Sequence, residues 1–150
     1  MIEFLTPSGQ EKILKQLQEL KEKKPLTADR IRQAKELGDL SENAEYTTAK
    51  EELAYTEREI LRLEGLLRSA EIVDRHTESD QISIGSKVIL KIKQETKTYT
   101  LVGSEESDPG QGLISYQSPL GQALIGKKVG EKTSIKTPSS EFMAEIIEIE

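Results

Sequence analysis

The chain has 150 residues, with 21 basic and 27 acidic side chains that give a net charge of −6, and it contains no cysteine. The lack of cysteine excludes disulfides, zinc–thiolate sites and thiol nucleophiles. The acidic excess is even, with 13 basic and 16 acidic residues up to Arg75 and 8 and 11 after it, so neither half has the charge of a general nucleic-acid binder. Without a signal peptide or a long apolar run, the sequence predicts a cytoplasmic protein that does not enter membranes.

Two long helices that pack on each other are predicted from the seven-residue spacing of apolar side chains in the first half. In the second helix the a and d positions hold Tyr46, Ala49, Leu53, Thr56, Ile60, Leu63, Leu67 and Ala70. In the first helix they hold Ile13, Leu17, Leu20, Ile31 and Ala34, with Lys24 and Thr27 as polar middle layers. If the chain turns near Leu40, Lys24 lies opposite Thr56, so polar meets polar. Residues 1–75 are therefore predicted to form a long antiparallel α-helical coiled-coil hairpin.

The second half begins after a polar linker at residues 74–80, where the pattern changes to short runs rich in β-branched residues. Such runs predict strands, at residues 82–84, 87–92, 98–102, 113–116, 133–135 and 142–149. Residues 118–126 have a proline near the start and a glycine at the end, which predicts a short helix. The expected fold class is α+β, with the hairpin followed by a small antiparallel β-sheet domain with a short helix at residues 76–150.

The turn between the two helices carries the acidic sequence GDLSENAEY, residues 38–46. Asp39 and Glu42 fit a capping box, in which an acid three residues into the helix reaches back to the N-cap. Carboxylates are also the side chains that Mg²⁺ prefers, although one or two of them do not complete its shell of about six oxygens. The residues alone leave capping and metal binding open. Glu45 falls at a g position, where it can pair with the first helix.

The turn sequence resembles the tip signature of the bacterial Gre transcript cleavage factors. The similarity continues in the second half, in the same order, through residues 114–115, 118–121, 123–127 and 137–138. It covers nearly the whole chain. The resemblance implies an FKBP-like C-terminal domain and a coiled coil that enters the secondary channel of a backtracked RNA polymerase. The polymerase then cleaves its own nascent RNA and escapes arrest.

The resemblance also implies roles for individual residues. Asp39 and Glu42 at the tip would help to hold a Mg²⁺ ion shared with RNA polymerase, and the chain alone would bind no cofactor. The C-terminal domain would dock at the rim of the channel through Ser118, Pro119, Leu120 and Gly121. Because the sequence offers no second organised carboxylate cluster, we expect the chain to complete the polymerase active site and not to be an enzyme itself. Neither a membrane nor a small-molecule substrate is expected among its partners.

Two lysines near the tip, Lys35 and Lys50, fall at e positions with little acid expected opposite them, whereas Lys21 is expected to face Glu57. The first two could attract the phosphates of the nascent RNA 3′ end, or could only keep a solvated helix flank soluble. Two other functions stay open at this point. One is a Gre-like factor that occupies the secondary channel and inhibits the polymerase. The other is a coiled-coil interaction or chaperone module whose tip acids are only caps.

Overall fold

The computed structural model describes residues 3–38, 43–74 and 80–150. The chain divides into two compact units. One is Glu11–Ser69, here called the hairpin unit, and the other combines Met1–Gln10 with Ala70–Glu150 and is here called the sheet unit. The sequence predicts a boundary at residue 75, whereas the sheet unit also includes the first ten residues. Within the described residues, the helices are all too short or too polar to cross a bilayer.

The hairpin unit contains most of helix α1 (Pro7–Lys35) and all of helix α2 (Ala44–Ser69). Helix α1 stays continuous through Pro25. The d positions of the predicted seam form its core, since six of them are buried: Ile13, Thr27, Ala34, Ala49, Thr56 and Leu63. The a positions of α2 are only partly buried. The hairpin therefore has a narrow apolar stripe, centred on one row of each heptad.

Ion pairs across the two helices show that they run antiparallel, as predicted. Lys24 Nζ lies 3.6 Å from a Glu57 carboxylate oxygen, and further along α2 a Glu64 oxygen lies 3.0 Å from Lys21 Nζ. The expected pairing of Lys21 with Glu57 is thus wrong. Lys24, expected in the seam, is exposed and forms an ion pair with Glu57. Lys21 pairs instead with Glu64, one heptad further along α2.

A buried polar layer interrupts the apolar stripe. Thr27 and Thr56 are both almost completely buried. The Thr27 hydroxyl donates to the Lys23 carbonyl at 3.2 Å, and the Thr56 hydroxyl donates to the Glu52 carbonyl at 2.9 Å. Each hydroxyl is satisfied within its own helix, so the layer leaves neither of these two donors without an acceptor.

The sheet unit contains a five-stranded sheet with the order β5-β4-β3-β7-β6. Its strands are β3 (Lys87–Ile92), β4 (Glu95–Val102), β5 (Leu113–Ser115), β6 (Lys132–Lys136) and β7 (Glu141–Ile149). Neighbouring strands are antiparallel except β4 and β5, which are parallel. A separate pair of parallel strands joins β1 (Phe4–Leu5) to β2 (Glu71–Ile72). Two short 3-10 turns, Ser104–Glu106 and Pro109–Gln111, lie between β4 and β5.

The core of the sheet unit lies on one face of the five-stranded sheet. In β3 the buried residues Val88, Leu90 and Ile92 alternate with more exposed ones, as expected for a strand with one covered face. The full cluster consists of Ile82, Val88, Leu90, Ile92, Leu101, Leu124, Ile135, Ala144 and Ile146. Leu124 comes from helix α3 (Pro119–Leu124), the short helix that the sequence predicts. The α+β class is confirmed.

One predicted strand, at residues 82–84, is wrong. Ile82 and Ile84 are buried, so their alternation is real, but the backbone turns instead of extending. The Ser86 N–H donates to the Ser83 carbonyl at 3.0 Å, and the Ser83 N–H donates to Ser86 Oγ at 3.0 Å. Gly85 has a φ of 93°, which glycine adopts readily. The burial of alternate residues thus comes from a turn that packs against the core.

Candidate functional site

The candidate site is the tip of the hairpin, residues 36–43, which begins where α1 ends. The last turn of α1 tightens, because the Glu36 N–H donates to the Gln33 carbonyl at 3.2 Å and the Leu37 N–H donates to the Ala34 carbonyl at 3.1 Å. Gly38 has a φ of 118°, a left-handed value that favours glycine. The helical path therefore ends at Gly38, the first residue of the acidic sequence. Asp39 and Glu42 themselves lie outside the described residues.

Asn43 closes the tip from the other side with two side-chain hydrogen bonds. Its Nδ2 donates to the Ala34 carbonyl at 2.7 Å, and its Oδ1 accepts from the Tyr46 N–H at 3.1 Å. The first bond reaches across to the last turn of α1. The second caps the first turn of α2, since Asn43 is the residue before the helix and Tyr46 is its third residue. One amide therefore links the end of α1 to the start of α2.

The capping position of α2 is consequently not the one that a capping box at Asp39 and Glu42 predicts. That box would start the helix at Leu40, whereas α2 starts at Ala44. Aspartate and asparagine are about equally good N-caps, but only asparagine has an N–H to donate across the hairpin. The need for an N–H donor therefore favours asparagine at position 43. The sequence could have indicated this N-cap, because Asn43 directly precedes the helix formers Ala44 and Glu45.

Next to the tip, the two helices bury small side chains and share an arginine. Ala34 of α1 and Ala49 of α2 are both fully buried. Arg30 then spans the hairpin, with one Nη 3.1 Å from a Glu45 oxygen and the other 2.6 Å from a Glu52 oxygen. Hydrogen bonds to Glu45 and Glu52 hold the pKa of Arg30 above its ordinary value. Glu45 thus pairs with the first helix, as its g position predicts.

The two predicted RNA-proximal lysines lie on either side of the tip. Lys35 is the last residue of α1, is exposed, and makes no ion pair with the residues that the structure describes. Lys50 is exposed too, and its Nζ lies 5.2 Å from the centre of the Tyr46 ring. Tyr46 is thus a cation–π partner that heptad analysis, which treats it as a seam residue, did not reveal. Both lysines keep their charge free of carboxylates in the described part of the chain.

The four predicted docking residues lie at the start of α3 in the sheet unit. Ser118 caps this helix, accepting from the Gly121 N–H at 3.1 Å, and its hydroxyl donates to the Ser115 carbonyl at 2.7 Å. Gly121 is buried, and a Cβ there would lie 2.1 Å from the Ser115 carbonyl oxygen. Leu120 packs against the core, while Pro119 is exposed. Pro119 is therefore the most exposed of the four, and the other three residues shape the turn that carries it.

Acidic side chains elsewhere in the described part of the chain do not gather into a metal site. Within residues 3–38, 43–74 and 80–150, no group of three or more histidines, aspartates or glutamates is arranged to hold a metal ion. The candidate metal ligands remain the two tip acids predicted from the sequence.

Both halves of the chain match models of one protein family. Residues 3–72 match the model described as "Transcription elongation factor, N-terminal", and residues 76–150 match "Transcription elongation factor, GreA/GreB, C-term". The chain belongs to the GreA/GreB family. The hairpin unit and its tip lie within the first match, and the whole five-stranded sheet lies within the second.

Relatives named transcription elongation factor GreA are similar over nearly the full length. The protein from a Nitratiruptor species is 43% identical over 150 residues, which cover 98% of this chain and 92% of that protein. The protein from a strain of Bacillus anthracis is 41% identical, covering 97% of this chain and 94% of that protein. A crystal structure of GreA factor homolog 1 (Gfh1) from Thermus thermophilus is 27% identical, with a TM-score of 0.46 and coverage of 100% of this chain and 99% of that one.

Proposed function

We propose that this GreA/GreB family member enters the secondary channel of RNA polymerase with its hairpin and stimulates the polymerase to cleave backtracked nascent RNA. The chain itself would be no enzyme: the polymerase cuts, and the tip of the hairpin completes the active site. Membership of the family of transcription elongation factors supports the partner. The tip sequence, residues 38–46, supports the mode of action through its resemblance to cleavage factors. Its place of work would be the cytoplasm, where bacterial transcription occurs.

The observation that carries the proposal is the cap of α2. If Asp39 and Glu42 were needed to start this helix, their presence at the tip would have a purely structural reason. Asn43 already accepts the Tyr46 N–H at 3.1 Å and closes the turn onto Ala34 at 2.7 Å. The two acids are therefore not required as the cap of α2, so a capping role at this helix does not account for them.

The donor chemistry of Asp39 and Glu42 fits Mg²⁺, a hard cation that prefers carboxylate oxygens. Two side chains fill only part of a shell of about six oxygens, so the remaining ligands would come from polymerase side chains, RNA phosphate and water. A Mg²⁺ ion held there would activate a water and stabilise the charge that develops on the scissile phosphate. The contribution of this chain is to bring two anionic ligands to the ion and to orient the attacking water.

Other parts of the molecule have supporting roles in the same proposal. Lys35 and Lys50, which flank the tip and face no carboxylate among the described residues, would attract the phosphates of the displaced RNA 3′ end as point charges. The turn at the start of α3 would dock at the rim of the channel, with Pro119 as its exposed member. Cleavage would thus depend on the hairpin unit, and attachment mainly on the sheet unit.

The experiment replaces both tip acids by their amides, Asp39→Asn with Glu42→Gln, and adds the protein to a stalled, backtracked elongation complex with labelled RNA. Neutral amides are poor Mg²⁺ ligands, so the variant should lose transition-state stabilisation. A loss of ~3 kcal/mol would slow cleavage more than a hundredfold. Because Asn43 caps α2, the same change should cost the hairpin less than about 1 kcal/mol. The variant should stay folded, and in excess it should compete with the unmodified protein for the polymerase.

A matched control neutralises two acids far from the tip, Glu11→Gln with Glu19→Gln, which are exposed on the first half of α1. It has the same net charge and should cleave normally. Unchanged cleavage by the tip variant would return Asp39 and Glu42 to a structural role. The same assay separates the other functions, since a channel inhibitor slows RNA extension without releasing fragments, and an interaction or chaperone module does neither.

A further inference from the structure

Helix α1 begins with a capping arrangement whose acid comes from a distant part of the chain. Thr6 precedes the helix, and its Oγ1 accepts from the N–H of Gly9, the third helical residue, at 3.0 Å. In a capping box this third residue is a glutamate or glutamine that accepts the backbone N–H of the cap. Here it is a glycine, and the Thr6 N–H donates instead to Glu106 Oε2 at 2.9 Å, 100 positions along the chain.

The Glu106 carboxylate is shared between the start of α1 and the turn that follows β4. Its Oε1 accepts from the Thr6 hydroxyl, and its Oε2 also accepts from the Gly103 N–H at 3.3 Å. Gly9 makes room for it, since a Cβ at Gly9 would lie 2.0 Å from Glu106 Cδ. Gly103 lets the same turn approach the residues before α1, since a Cβ there would lie 1.9 Å from the Phe4 carbonyl oxygen. Thr6 and Gly9 are buried, so little water competes for these bonds.

We propose that Glu106 is a positioning residue for transcript cleavage, because it fixes the first turn of α1 to the rest of the sheet unit. This inference rests on the proposed function. A glutamate in place of Gly9 would cap the helix locally, so capping alone needs no acid from beyond β4. What the distant acid adds is a connection between the helix start, at Thr6, and the turn Ser104–Glu106.

The length of α1 makes this connection matter. The helix has 29 residues, from Pro7 to Lys35, and its last residues lead directly into the tip. At 1.5 Å per residue it is about 43 Å long, so a rotation of about 5° at its first turn moves its last turn by about 4 Å. Misplacement of a catalytic group by about 1 Å can cost about a hundredfold in rate. Loosening at Thr6 is therefore expected to lower the cleavage rate more than the binding of polymerase.

The test compares Glu106→Ala with a double variant, Gly9→Glu with Glu106→Ala, that rebuilds a local capping box behind Thr6. Glu106→Ala should lower the maximal cleavage rate by at least about tenfold and raise the half-saturating concentration by less than about threefold. The double variant should recover the melting temperature but keep the low rate. A double variant that cleaves like the unmodified protein would show that Glu106 is only a cap. Normal cleavage by Glu106→Ala would overturn the proposal directly.

Amide hydrogen exchange tests the connection independently of cleavage. In Glu106→Ala the Thr6 and Gly103 amides should both exchange at least about tenfold faster. The double variant should protect Thr6 again but not Gly103. Unchanged exchange at Thr6 in Glu106→Ala would mean that the connection does not form. If the unmodified protein releases no RNA fragments while these exchange results hold, the proposed function fails and the anchoring of α1 by Glu106 stands as a structural fact without a role in cleavage.

Gly9→Ala adds a test in which two explanations predict opposite changes in melting temperature. Alanine favours a helix over glycine, so helix propensity predicts a higher melting temperature. The new Cβ would displace the Glu106 carboxylate, so we expect a lower melting temperature and slower cleavage. Gly65→Ala in α2 is the matched control, because the nearest atom to its new Cβ is Arg68 Nη2 at 3.9 Å, and it should stabilise the protein. A stabilised Gly9→Ala variant that cleaves normally would contradict the role of Glu106.

Discussion

Replacing Asn43 with aspartate should separate capping of α2 from closure of the tip. Aspartate can still accept the Tyr46 N–H, because it ranks with asparagine as an N-cap. It has no N–H to donate to the Ala34 carbonyl, which asparagine reaches at 2.7 Å. The change therefore removes one of two bonds without altering the size of the side chain. Asn43→Ala removes both and serves as the reference for complete loss.

The expected stabilities follow from these two bonds. Losing the bond to Ala34 costs about 1 kcal/mol, and the new negative charge at the start of α2 returns about 0.3–1 kcal/mol through the helix dipole. Asn43→Asp should therefore change the free energy of unfolding by less than about 1 kcal/mol. Asn43→Ala loses about 1 kcal/mol for the cap and about 1 kcal/mol for the bond. In a chain of this size each kcal/mol shifts the melting temperature by about 2–4 °C.

Cleavage should respond differently from stability. Both Asn43 variants lose the link to Ala34 that closes the turn containing Asp39 and Glu42, so both should slow fragment release by about tenfold. The assays are thermal unfolding by circular dichroism and fragment release from a backtracked complex. If Asn43→Asp cleaves like the unmodified protein, closure onto Ala34 does not position the tip. If it melts as low as Asn43→Ala, the bond to Tyr46 is not the cap.

Two further predictions concern charged groups on the hairpin. Lys50→Glu should slow cleavage more than it weakens competition for polymerase, and its cleavage rate should approach that of the unmodified protein as salt rises, because screening weakens phosphate attraction. The control Lys15→Glu, far from the tip, should change neither cleavage nor competition. If Lys50→Glu and the unmodified protein cleave at the same rate at low salt, Lys50 is only a solvated residue. Hydrogen bonds from Arg62 hold the pKa of Glu59 below its ordinary value, so Arg62→Ala should raise that pKa in a carbon-13 NMR titration. Because the pKa of Glu59 is lower in the folded state than in the unfolded state, its pairing with Arg62 stabilises the fold above the ordinary glutamate pKa, and this stabilisation is lost as pH falls through the lowered pKa. Arg62→Ala should therefore melt lower than the unmodified protein at neutral pH but not in stronger acid. A difference in melting temperature that persisted in stronger acid would refute this assignment.

Patterns with a short repeat could be predicted well from the sequence. The heptads identified Ala49, Thr56 and Leu63 as buried, because a helix places every seventh residue on the same stripe. Helix α3 was likewise predictable, since Pro119 at its first position is a local signal. The strand at residues 82–84 was wrong for a related reason. Alternate burial there comes from packing against the core, which local spacing cannot distinguish from a strand.

The features that depend on distant partners could not be predicted. Glu106 meets Thr6 across 100 positions, and nothing in the local sequence of either residue indicates the other. The partner of Lys21 was off by one heptad because a long side chain can reach more than one turn of the facing helix. At the tip, the acidic motif indicated the place, but the cap proved to be Asn43. Its two-sided bonding becomes apparent only when the end of α1 is known.

Strands β1 and β2 lie side by side and point the same way, with Phe4 opposite Glu71 and Leu5 opposite Ile72. The chain thus leaves the sheet unit after β1 and re-enters it at β2, the strand beside β1, so the two helices form an insertion at one place in that unit. Removing or adding seven residues in each helix, matched across the antiparallel pair, would keep the heptad frame while changing the span by about 10 Å. The length of the hairpin can consequently change, in evolution or by design, without a change in the strand pairing of either sheet.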